Sequence, residues 1–388
     1  MKIAILGGGV AGVSSAIALK QKGFDVTIYE RNKYESNIGA GIVIWPNAAY
    51  ILDQLHILDE IKAVSGYPSS MQRISNIDEK LGSINIEKIN KIMGYPSLSI
   101  LRYEFQNILV SKLNALGIAI QYGHEITSIE EKNSTTIVHF QNGEQTVADV
   151  VIGADGRMSS IARKYVIGDN QPKYQGFINW IGIFKSEKKL FNDIVVKDYW
   201  GIGERFGIVP VSEYTAYWAG GVSAKEIGIK EPSTYKQELK SIFSNWPGLV
   251  DTLITETSPS SINKIYVHDH DPINKWHRNN LIIIGDAAHA SLPTSGQGAC
   301  QALEDAWHLA NCLSKNSNNL NGAFSQFTKL RSEKTAGIIS AGRGLASNLF
   351  NPTPEFCKKR NENSLNTDFL LVAQGMAKGW SRGLPLNA

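Results

Sequence analysis

Three glycines near the amino terminus have the spacing of a phosphate-binding turn. Gly7, Gly9 and Gly12 follow a short apolar run and open a segment whose apolar residues have helical spacing. In such a turn the first glycine allows a tight bend, the second lets the backbone approach a pyrophosphate, and the third lets helix and strand pack closely. The start of the helix then points its positive end at the phosphates. The pattern therefore predicts a dinucleotide-binding site.

A carboxylate lies where a dinucleotide site needs one. Glu30 comes eighteen residues after Gly12 and directly follows the second predicted strand, Asp25–Tyr29. A carboxylate at this point can accept hydrogen bonds from both hydroxyls of the adenosine ribose, and it favours a free ribose over a 2′-phosphate. Arg31 follows Glu30 and is included among the predicted cofactor-binding residues.

A second segment, near residue 285, contains the residue types that bind the rest of a flavin. Asp286 follows the predicted strand Leu281–Ile284, so its carboxylate emerges at a carboxyl end of the sheet and can bond a ribityl hydroxyl. The loop that opens the next predicted helix supplies Pro293, Gly296, Gln297 and Gly298. Its backbone N–H groups and the positive end of the helix suit the pyrimidine edge of a flavin, which is negative in the reduced state. The two segments together predict one FAD site.

Composition excludes several classes of protein. The 388 residues are enough for two core-forming units, and the net charge of +3 does not favour binding to nucleic acid. Three cysteines without paired or metal-binding spacing argue against disulfides and zinc, so we expect a reducing cytoplasm and no metal. The apolar run at residues 3–19 contains the glycine turn, which argues against a signal peptide. No apolar stretch is long enough to predict a membrane span.

The elements that position these residues alternate between strands and helices. Lys2–Leu6, Val10–Gln21 and Asp25–Tyr29 are typical of a β-α-β unit, which belongs to a doubly wound parallel sheet. Residues 46–65 have the apolar spacing of a helix. From about residue 166 to 270, short alternating strand-like pieces predict a mostly antiparallel sheet inserted into the nucleotide-binding unit. The nucleotide-binding pattern then returns, and helices follow.

With these motifs in order, the chain resembles the FAD-dependent aromatic hydroxylases, the group A flavoprotein monooxygenases of the para-hydroxybenzoate hydroxylase type. The resemblance covers residues 1 to about 340 and is carried by the glycine turn with Glu30, by Ala154-Asp155-Gly156 and by Gly285-Asp286. Within this family the chain is most similar to FAD-dependent urate hydroxylases, through GFINWIGI at residues 176–183 and GIGERFGIVPVSEYTAYW at residues 201–218.

The resemblance implies further cofactor residues. Gly41, in the run Gly39–Ile42, and Arg102 match cofactor-binding positions of the family. Arg102 is expected to reach the ribityl and phosphate region of FAD. Asp155 is associated in the family with both FAD and NAD(P)H binding.

The resemblance also implies the catalytic residues. Arg205 and Tyr217 fall at positions that urate hydroxylases use beside the substrate. The chain departs from those enzymes at Thr294, where they have an aspartate that partners the arginine. A related heteroaromatic or another ionisable aromatic ring is therefore at least as well matched as urate.

The reaction of the family follows from its cofactor. NADH or NADPH reduces the flavin, O₂ adds at C4a, and the distal oxygen of the C4a-hydroperoxyflavin attacks an electron-rich ring carbon. The resemblance thus implies a monooxygenase that hydroxylates a small aromatic or heteroaromatic substrate, as a monomer or homodimer. Two alternatives stay open. One is inactivation of tetracycline or oxidation of another polycyclic compound on the same scaffold. The other is a flavoprotein reductase or binding module without oxygenase chemistry.

The predicted fold class is α/β. A doubly wound, glutathione reductase-like FAD-binding domain is expected over residues 1–75, 100–165 and 270–345. A mostly antiparallel β substrate domain is expected over residues 76–99 and 166–269. Residues 346–388 form a C-terminal segment to which no motif assigns a role.

Overall fold

The computed structural model of the protein describes residues 1–34, 40–132 and 135–387. Gly39, which the sequence places in one motif with Gly41, lies outside the described residues. The described residues have a mixed α/β fold, as predicted, with a mostly parallel sheet and a second, mostly antiparallel sheet.

The first sheet of the described chain has six strands and carries the predicted dinucleotide site. In spatial order its strands, numbered along the chain, are β17 (His277–Arg278), β18 (Leu281–Ile283), β11 (Val150–Gly153), β1 (Lys2–Leu6), β2 (Asp25–Glu30) and β7 (Ile120–Tyr122). All neighbouring pairs are parallel except β17 with β18. β1 and β11 are almost completely buried, as expected for the centre of a parallel sheet. The carboxyl ends of β1, β2 and β18 lead to the predicted cofactor residues.

Thirteen α-helices occur in the part of the chain that the structure describes. They are α1 (Val10–Gln21), α2 (Pro46–Gln54), α3 (Leu58–Ala63), α4 (Ile86–Met93), α5 (Arg102–Ala115), α6 (Ile161–Ile167), α7 (Tyr235–Ile242), α8 (Gly248–Glu256), α9 (Asp286–His289), α10 (Gly298–Lys315), α11 (Leu320–Leu349), α12 (Pro354–Leu365) and α13 (Phe369–Ser381). α1 joins β1 to β2 in the predicted β-α-β unit and packs against α10. Among the described helices, none has the length and apolar character that crossing a bilayer requires.

The second sheet has seven strands within the described ranges. In spatial order they are β16 (Asn263–Asp269), β12 (Lys173–Lys185), β15 (Thr215–Ser223), β14 (Glu204–Pro210), β13 (Val195–Trp200), β4 (Ser70–Ser75) and β5 (Lys80–Asn85). Neighbouring strands are antiparallel except β13 with β4. β4 belongs to this sheet although it precedes residue 76, where the predicted substrate domain begins. The domain boundaries themselves are not tested and stay a prediction.

Two small sheets account for the other strands of the described residues. One contains β8 (Ile126–Lys132), β9 (Thr135–Phe140) and β10 (Gln145–Ala148), and the other contains β3 (Gly41–Ile44) and β6 (Leu98–Leu101). β3 and β6 matter for the site because β3 begins at Gly41 and β6 ends directly before Arg102.

Side chains alternate between the two faces of the seven-stranded sheet. One face carries Phe206, Ile208 and Trp218, which are fully buried in an apolar cluster with residues of α7 and α8. Arg205 precedes Phe206 and Tyr217 precedes Trp218, so both lie on the opposite face. The sheet therefore has one face for packing and another that can line a site.

The helix predicted over residues 46–65 is wrong as a single element. The structure has two helices there, α2 and α3. His56 has a φ of 57°, a left-handed conformation that ends a helix, and the Ile57 N–H donates to the Leu52 carbonyl. Because the apolar spacing continues through this turn, periodicity alone predicts one continuous helix.

Candidate active site

The glycine turn has the geometry that its spacing predicts. Gly7 has a φ of 115°, and a β-carbon there would lie 2.2 Å from the Ala154 carbonyl oxygen. A β-carbon on Gly12 would lie 1.9 Å from the Gly7 carbonyl oxygen. Both glycines are therefore required for the close packing of the turn, α1 and the chain that leaves β11.

Gly9 differs from these two glycines. It directly precedes α1, and a β-carbon on it would meet no atom of the described residues within 4 Å. Packing within the protein therefore does not require a glycine at this position. A phosphate that approaches the backbone N–H groups at the start of α1 does require one.

The Glu30 carboxylate faces the glycine turn. It accepts hydrogen bonds from the N–H groups of Gly8 at 2.7 Å and Asn32 at 2.9 Å. These bonds fix the carboxylate at the carboxyl ends of β1 and β2, where the sequence predicts a ribose-binding acid. Arg31 is exposed and its Nη1 donates to Ser159 Oγ at 3.0 Å. Its contact with a cofactor stays a prediction.

Asp155 makes its hydrogen bonds within the protein. Its carboxylate accepts from Ser160 Oγ at 2.5 Å and from the Ala162 N–H at 3.0 Å, at the start of α6. Burial raises the pKa of Asp155, and these hydrogen bonds act in the opposite direction. The residue thereby anchors α6 to the chain leaving β11, and its predicted contact with a nucleotide is not tested.

The segment around Asp286 lies against the start of α1. Gly285 has a φ of 57°, and a β-carbon on it would lie 2.8 Å from the Ala11 β-carbon. The Asp286 side chain is 43% exposed, and Arg157 Nη1 lies 3.5 Å from one of its carboxylate oxygens. The structure therefore brings two predicted loops that are far apart in sequence to one edge of the parallel sheet.

The loop before α10 is held by an indole and an amide. Trp45 Nε1 donates to the Gly296 carbonyl oxygen at 2.9 Å, and Gly296 has a φ of 62°. Asn47 Nδ2 donates to Gln297 Oε1 at 2.9 Å. The Gln297 side chain is buried, so it supports the loop from inside, and a cofactor contact would come from its backbone. Pro293 opens a short 3₁₀ turn on the exposed side of the loop, and Gly298 opens α10.

Two buried polar atoms at this loop have no hydrogen-bond partner among the described residues. They are Asn47 Oδ1 and Gln297 Nε2. Buried polar atoms are normally paired, so these two atoms are available to a further polar partner such as a water molecule. With the open approach to Gly9 and the accessible Asp286, the chain has polar groups along the length that an elongated cofactor such as FAD needs.

Gly41, in a predicted cofactor motif, contacts Tyr217 of the seven-stranded sheet. A β-carbon on Gly41 would lie 1.9 Å from Tyr217 Cδ1, so the phenol ring lies directly on the glycine. Gly41 pairs with Leu101 across β3 and β6, which places the exposed Arg102 beside it. Tyr217 therefore lies next to Gly41, and Gly41 lies next to a second predicted cofactor residue, Arg102.

Arg205 shares its sheet face with Tyr217 and is held by an aspartate. Its Nε donates to Asp198 Oδ1 at 2.6 Å, and Asp198 Oδ2 accepts from Trp200 Nε1 at 2.8 Å. Trp200 packs in one apolar cluster with Leu292, the residue before the predicted flavin loop. This face and that loop are therefore neighbours.

Tyr217 is a hydrogen-bond donor rather than a base. Burial raises the pKa of its hydroxyl well above the usual value, and the charge of Arg205 offsets only part of that effect. The hydroxyl therefore stays protonated at neutral pH. The structure brings Arg205 and Tyr217 together beside the cofactor motif, while their catalytic roles stay predictions.

A buried cluster of charges holds the two predicted flavin loops on α10 and α11. Asp305 accepts a hydrogen bond from the Gly285 N–H at 2.8 Å, and its Oδ2 lies 2.5 Å from His289 Nε2. Its other oxygen accepts from Arg331 Nε at 2.7 Å. The residue directly before Asp286 is thus fixed through Asp305 to α11.

The neighbouring Glu304 fixes the second loop. It accepts hydrogen bonds from Asn47 Nδ2 at 2.7 Å and from Lys334 Nζ at 2.8 Å, and it pairs with Arg331. Burial raises the pKa of Glu304, but the charges of Arg331 and Lys334 together lower it by more. The net pKa is therefore below the usual value, and the carboxyl is ionised. Asn47 carries this support to Gln297.

Acid should destabilise the protein through His308 on α10. Burial lowers the pKa of His308 to about 4, so between pH 6.5 and 4 the unfolded chain binds a proton that the folded chain does not. The free energy of unfolding should therefore fall as the pH falls through this window, by about 3 kcal/mol. Urea unfolding at several pH values would measure it.

The variant for this prediction is His308→Gln. It should reduce the slope between pH 6.5 and 4. The slope that remains includes His270, whose pKa is also lowered by burial, and, with the opposite sign, Asp155, whose pKa is raised by burial. An unchanged slope in His308→Gln would contradict the assignment.

Several site residues were not predicted from the sequence: Trp45, Asp198, Glu304, Asp305 and Arg331. A local signal exists for one of them. Asp198 and Trp200 lie two residues apart on a strand, which places them on one face, and a carboxylate is unusual among apolar and aromatic neighbours. The others act through partners that are distant in sequence.

Comparison with known proteins identifies the family. Residues 1–322 match the FAD binding domain family, and the chain belongs to this family. The chain is 30% identical over 341 residues to the aurachin C monooxygenase/isomerase of Stigmatella aurantiaca, which covers 88% of this chain and 87% of that protein. It is 28% identical over 381 residues to the FAD-dependent urate hydroxylase of Mycolicibacterium vanbaalenii, covering 97% and 95% respectively.

A solved structure gives the same result for the fold. Klebsiella pneumoniae HpxO, in complex with FAD and uric acid, matches with a TM-score of 0.91 at 25% identity, over 99% of this chain and 97% of that chain. The predictions of an α/β fold, of FAD as the cofactor and of an oxidoreductase of the monooxygenase class are confirmed. Use of NADH or NADPH is typical of this family.

Proposed function

We propose that the protein uses NADH or NADPH and O₂ to hydroxylate a small aromatic or heteroaromatic ring that binds beside Tyr217 and within reach of Arg205. The observation that carries this proposal is the contact of the Tyr217 ring with Gly41. It joins the face of the seven-stranded sheet that carries Arg205 to a predicted cofactor segment. A ring on that face would therefore lie next to the flavin.

The residues that would hold FAD lie along the edge of the parallel sheet. Gly9 and the start of α1 would receive the pyrophosphate, Glu30 the adenosine ribose, and Asp286 the ribityl chain. The first N–H groups of α10, which begins at Gly298, would face the pyrimidine edge. When bound, FAD supplies the redox and oxygen chemistry.

The chain itself binds, orients and shields the ring. The Tyr217 hydroxyl, kept protonated by burial, can donate a hydrogen bond to an oxygen or nitrogen of the substrate. Arg205 can bind an anionic group and stabilise negative charge on an electron-rich ring. The apolar cluster that includes Trp200 and Leu292 excludes water from one side.

Replacing Arg205 by alanine should leave the flavin bound and remove the response to substrate. Arg205 lies on the seven-stranded sheet and is not one of the residues predicted to contact the phosphates or the ribityl chain, so we expect the flavin to stay bound. Loss of a charge-assisted hydrogen bond should lower kcat/KM on the order of 100-fold. The assay is NAD(P)H oxidation stimulated by aromatic acids, purines and tetracyclines, with products identified by mass spectrometry.

Arg278→Ala is the matched control. Arg278 is an exposed arginine on β17, the edge strand of the six-stranded sheet, and its guanidinium carbon lies 4.8 Å from the centre of the Tyr165 ring. It should turn over like the wild type. Normal turnover by Arg205→Ala would contradict the pocket assignment. Peroxide release without product from any ring would favour a flavoprotein without oxygenase chemistry, and a response to tetracyclines alone would favour the polycyclic alternative.

The cytoplasmic location stays a prediction. Cys300, Cys312 and Cys357 are all buried and unpaired, which agrees with a reducing compartment. Gel filtration of the flavin-bound protein would distinguish the monomer from the homodimer.

A further inference from the structure

We propose that Asp198 is a positioning residue for Arg205. It turns the guanidinium so that the edge formed by Nη1 and Nη2 faces the substrate, and the substrate therefore presents an anionic, two-acceptor edge to this fork. The inference rests on the proposed function above and adds the residue that selects the substrate class. In the sequence, only its alternation with Trp200 along β13 distinguishes Asp198.

The register of two strands brings the side chains together. β13 and β14 pair with Trp200 opposite Arg205 and Asp198 opposite Gly207. Side chains at paired positions lie on the same face of a sheet. Because Gly207 has no side chain, the guanidinium of Arg205 can lie over it: a β-carbon there would be 3.1 Å from Nη2. The arginine thus lies along its own strand and reaches Asp198.

Both carboxylate oxygens of Asp198 are engaged. One accepts from Arg205 Nε at 2.6 Å and the other from Trp200 Nε1 at 2.8 Å. The side chains of Asp198 and Arg205 are 9% and 22% exposed, so the carboxylate is enclosed while part of the guanidinium is accessible.

The hydrogen bond from Arg205 Nε to Asp198 fixes the plane of the guanidinium and leaves the edge formed by Nη1 and Nη2 available to a ligand. Two parallel N–H groups on that edge match two acceptor atoms in one plane. A ring carboxylate has such a pair, and so has an ionised ring nitrogen with a neighbouring carbonyl oxygen.

The charges around Asp198 favour an anion on this face. The guanidinium carbons of Arg73 and Arg360 lie 5.0 Å and 5.2 Å from the centre of the Trp200 ring. Burial lowers the pKa of both arginines, and the charge of Asp198 acts against that shift. Together with Arg205, three arginines thus interact electrostatically with one carboxylate, which can neutralise only one of them.

The carboxylate of Asp198 can be tested against its amide at constant shape. An amide has one acceptor oxygen, so in Asp198→Asn the donors of Arg205 and Trp200 compete for it. The donor that does not bind the oxygen then faces the NH₂ group, which is also a donor, and this contact is unfavourable. Trp200→Phe removes the indole N–H and keeps a ring between the two neighbouring arginines. In the double variant the amide oxygen is free to accept from Arg205. Asp198→Asn and the double variant carry the same charge and differ in the orientation of Arg205.

Benzoate and benzamide are suitable probes because they differ in charge and hardly in shape. Titrating each into the flavin-bound enzyme, followed by the flavin absorbance, gives the two dissociation constants. We expect the wild type to prefer benzoate. We expect the double variant to bind benzoate about tenfold more tightly than Asp198→Asn, the value of one charge-assisted hydrogen bond, and benzamide equally.

Equal benzoate affinity of Asp198→Asn and the double variant would overturn the positioning role, and a wild type without preference for benzoate would overturn the anionic edge. Flavin content and melting temperature show which variants fold. If Asp198→Asn does not fold, Gly207→Ala perturbs the same guanidinium without changing charge and should also weaken benzoate binding several-fold. Normal benzoate binding in that variant would equally overturn the role.

The proposed function is tested separately by turnover. The wild type could prefer benzoate to benzamide and yet show no NAD(P)H oxidation stimulated by any ring compound. This result would contradict the hydroxylase proposal. The benzoate affinities of the Asp198 variants would still test the positioning role. Turnover that is unaffected in Asp198→Asn would contradict the role of Asp198 and leave the hydroxylase proposal in place.

Discussion

Replacing Arg331 by methionine should lower the free energy of unfolding by about 3–5 kcal/mol, which is a large part of the stability of a typical domain. Arg331 is completely buried between Glu304 and Asp305, which are completely buried as well. Burial alone would lower the pKa of Arg331, but the two carboxylates raise it, so each charge depends on the others. Methionine fills a similar volume and leaves the carboxylates without their shared partner.

The loss should reach the flavin as well. Asp305 also accepts from the Gly285 N–H, directly before Asp286, and Glu304 holds Asn47 against Gln297. When the carboxylates move or take up protons, both loops lose their support. We therefore expect a lower flavin content at purification and a melting temperature reduced on the order of 10 °C.

The control for Arg331→Met lies two residues further along the same helix. Glu333 pairs with Arg382, and both side chains are mostly exposed, so Glu333→Gln should change the stability by less than about 0.5 kcal/mol. Urea unfolding and flavin content would be measured on both variants. If Arg331→Met is as stable as Glu333→Gln, the buried charges do not hold the loops.

The cofactor loops were predictable because their requirements are local. A left-handed φ at Gly7 and the contact of Gly12 with the Gly7 carbonyl arise within one turn, so residue type and spacing suffice to find them. Asp286 was proposed in the same way, at the end of a buried strand, and its contact with the cofactor stays a prediction. The alternation of side chains along β14 and β15 similarly predicted elements that could carry Arg205 and Tyr217.

The partners of these residues were not predictable because they depend on register and on distant segments. Asp198 reaches Arg205 only because β13 and β14 pair with Asp198 opposite Gly207, and a shift of one residue would turn it to the other face. Thr294, where urate hydroxylases were expected to have the partner of the arginine, donates instead to the Gly342 carbonyl at 2.8 Å. The structure thus shows an acid beside Arg205, but this acid, Asp198, comes from β13 and not from the loop that contains Thr294.

The C-terminal segment illustrates the same limit. No motif assigns it a role, yet Lys334 on α11 donates to the Trp380 carbonyl at 2.6 Å. The Trp380 ring packs against Trp45 with its centre 4.6 Å away and a tilt of 40°, and Trp45 holds the predicted flavin loop. Arg360 on α12 covers Trp200, the indole that binds Asp198. The segment therefore supports both the predicted flavin loop and the proposed substrate face through contacts between residues far apart in sequence.

Replacing Gly9 by alanine should abolish tight FAD binding without destabilising the apoprotein. The backbone of Gly9 is extended, with a φ of −78°, a conformation that alanine adopts freely, and a β-carbon there meets no described atom within 4 Å. It would instead occupy the approach to the N–H groups at the start of α1. We expect the dissociation constant for FAD to rise on the order of 100-fold. Flavin titration and thermal unfolding of the apoprotein measure the two quantities.

Gly12→Ala provides the contrast, because its β-carbon would lie 1.9 Å from the Gly7 carbonyl oxygen and the backbone would have to move. This variant should lose about 3 kcal/mol of stability together with FAD binding. Gly337→Ala, in an open position on α11, should bind FAD normally and gain about 0.5–1 kcal/mol. FAD binding of wild-type strength in Gly9→Ala would mean that the pyrophosphate does not lie on this turn. The assignment of the whole edge of the parallel sheet to one flavin would then fail.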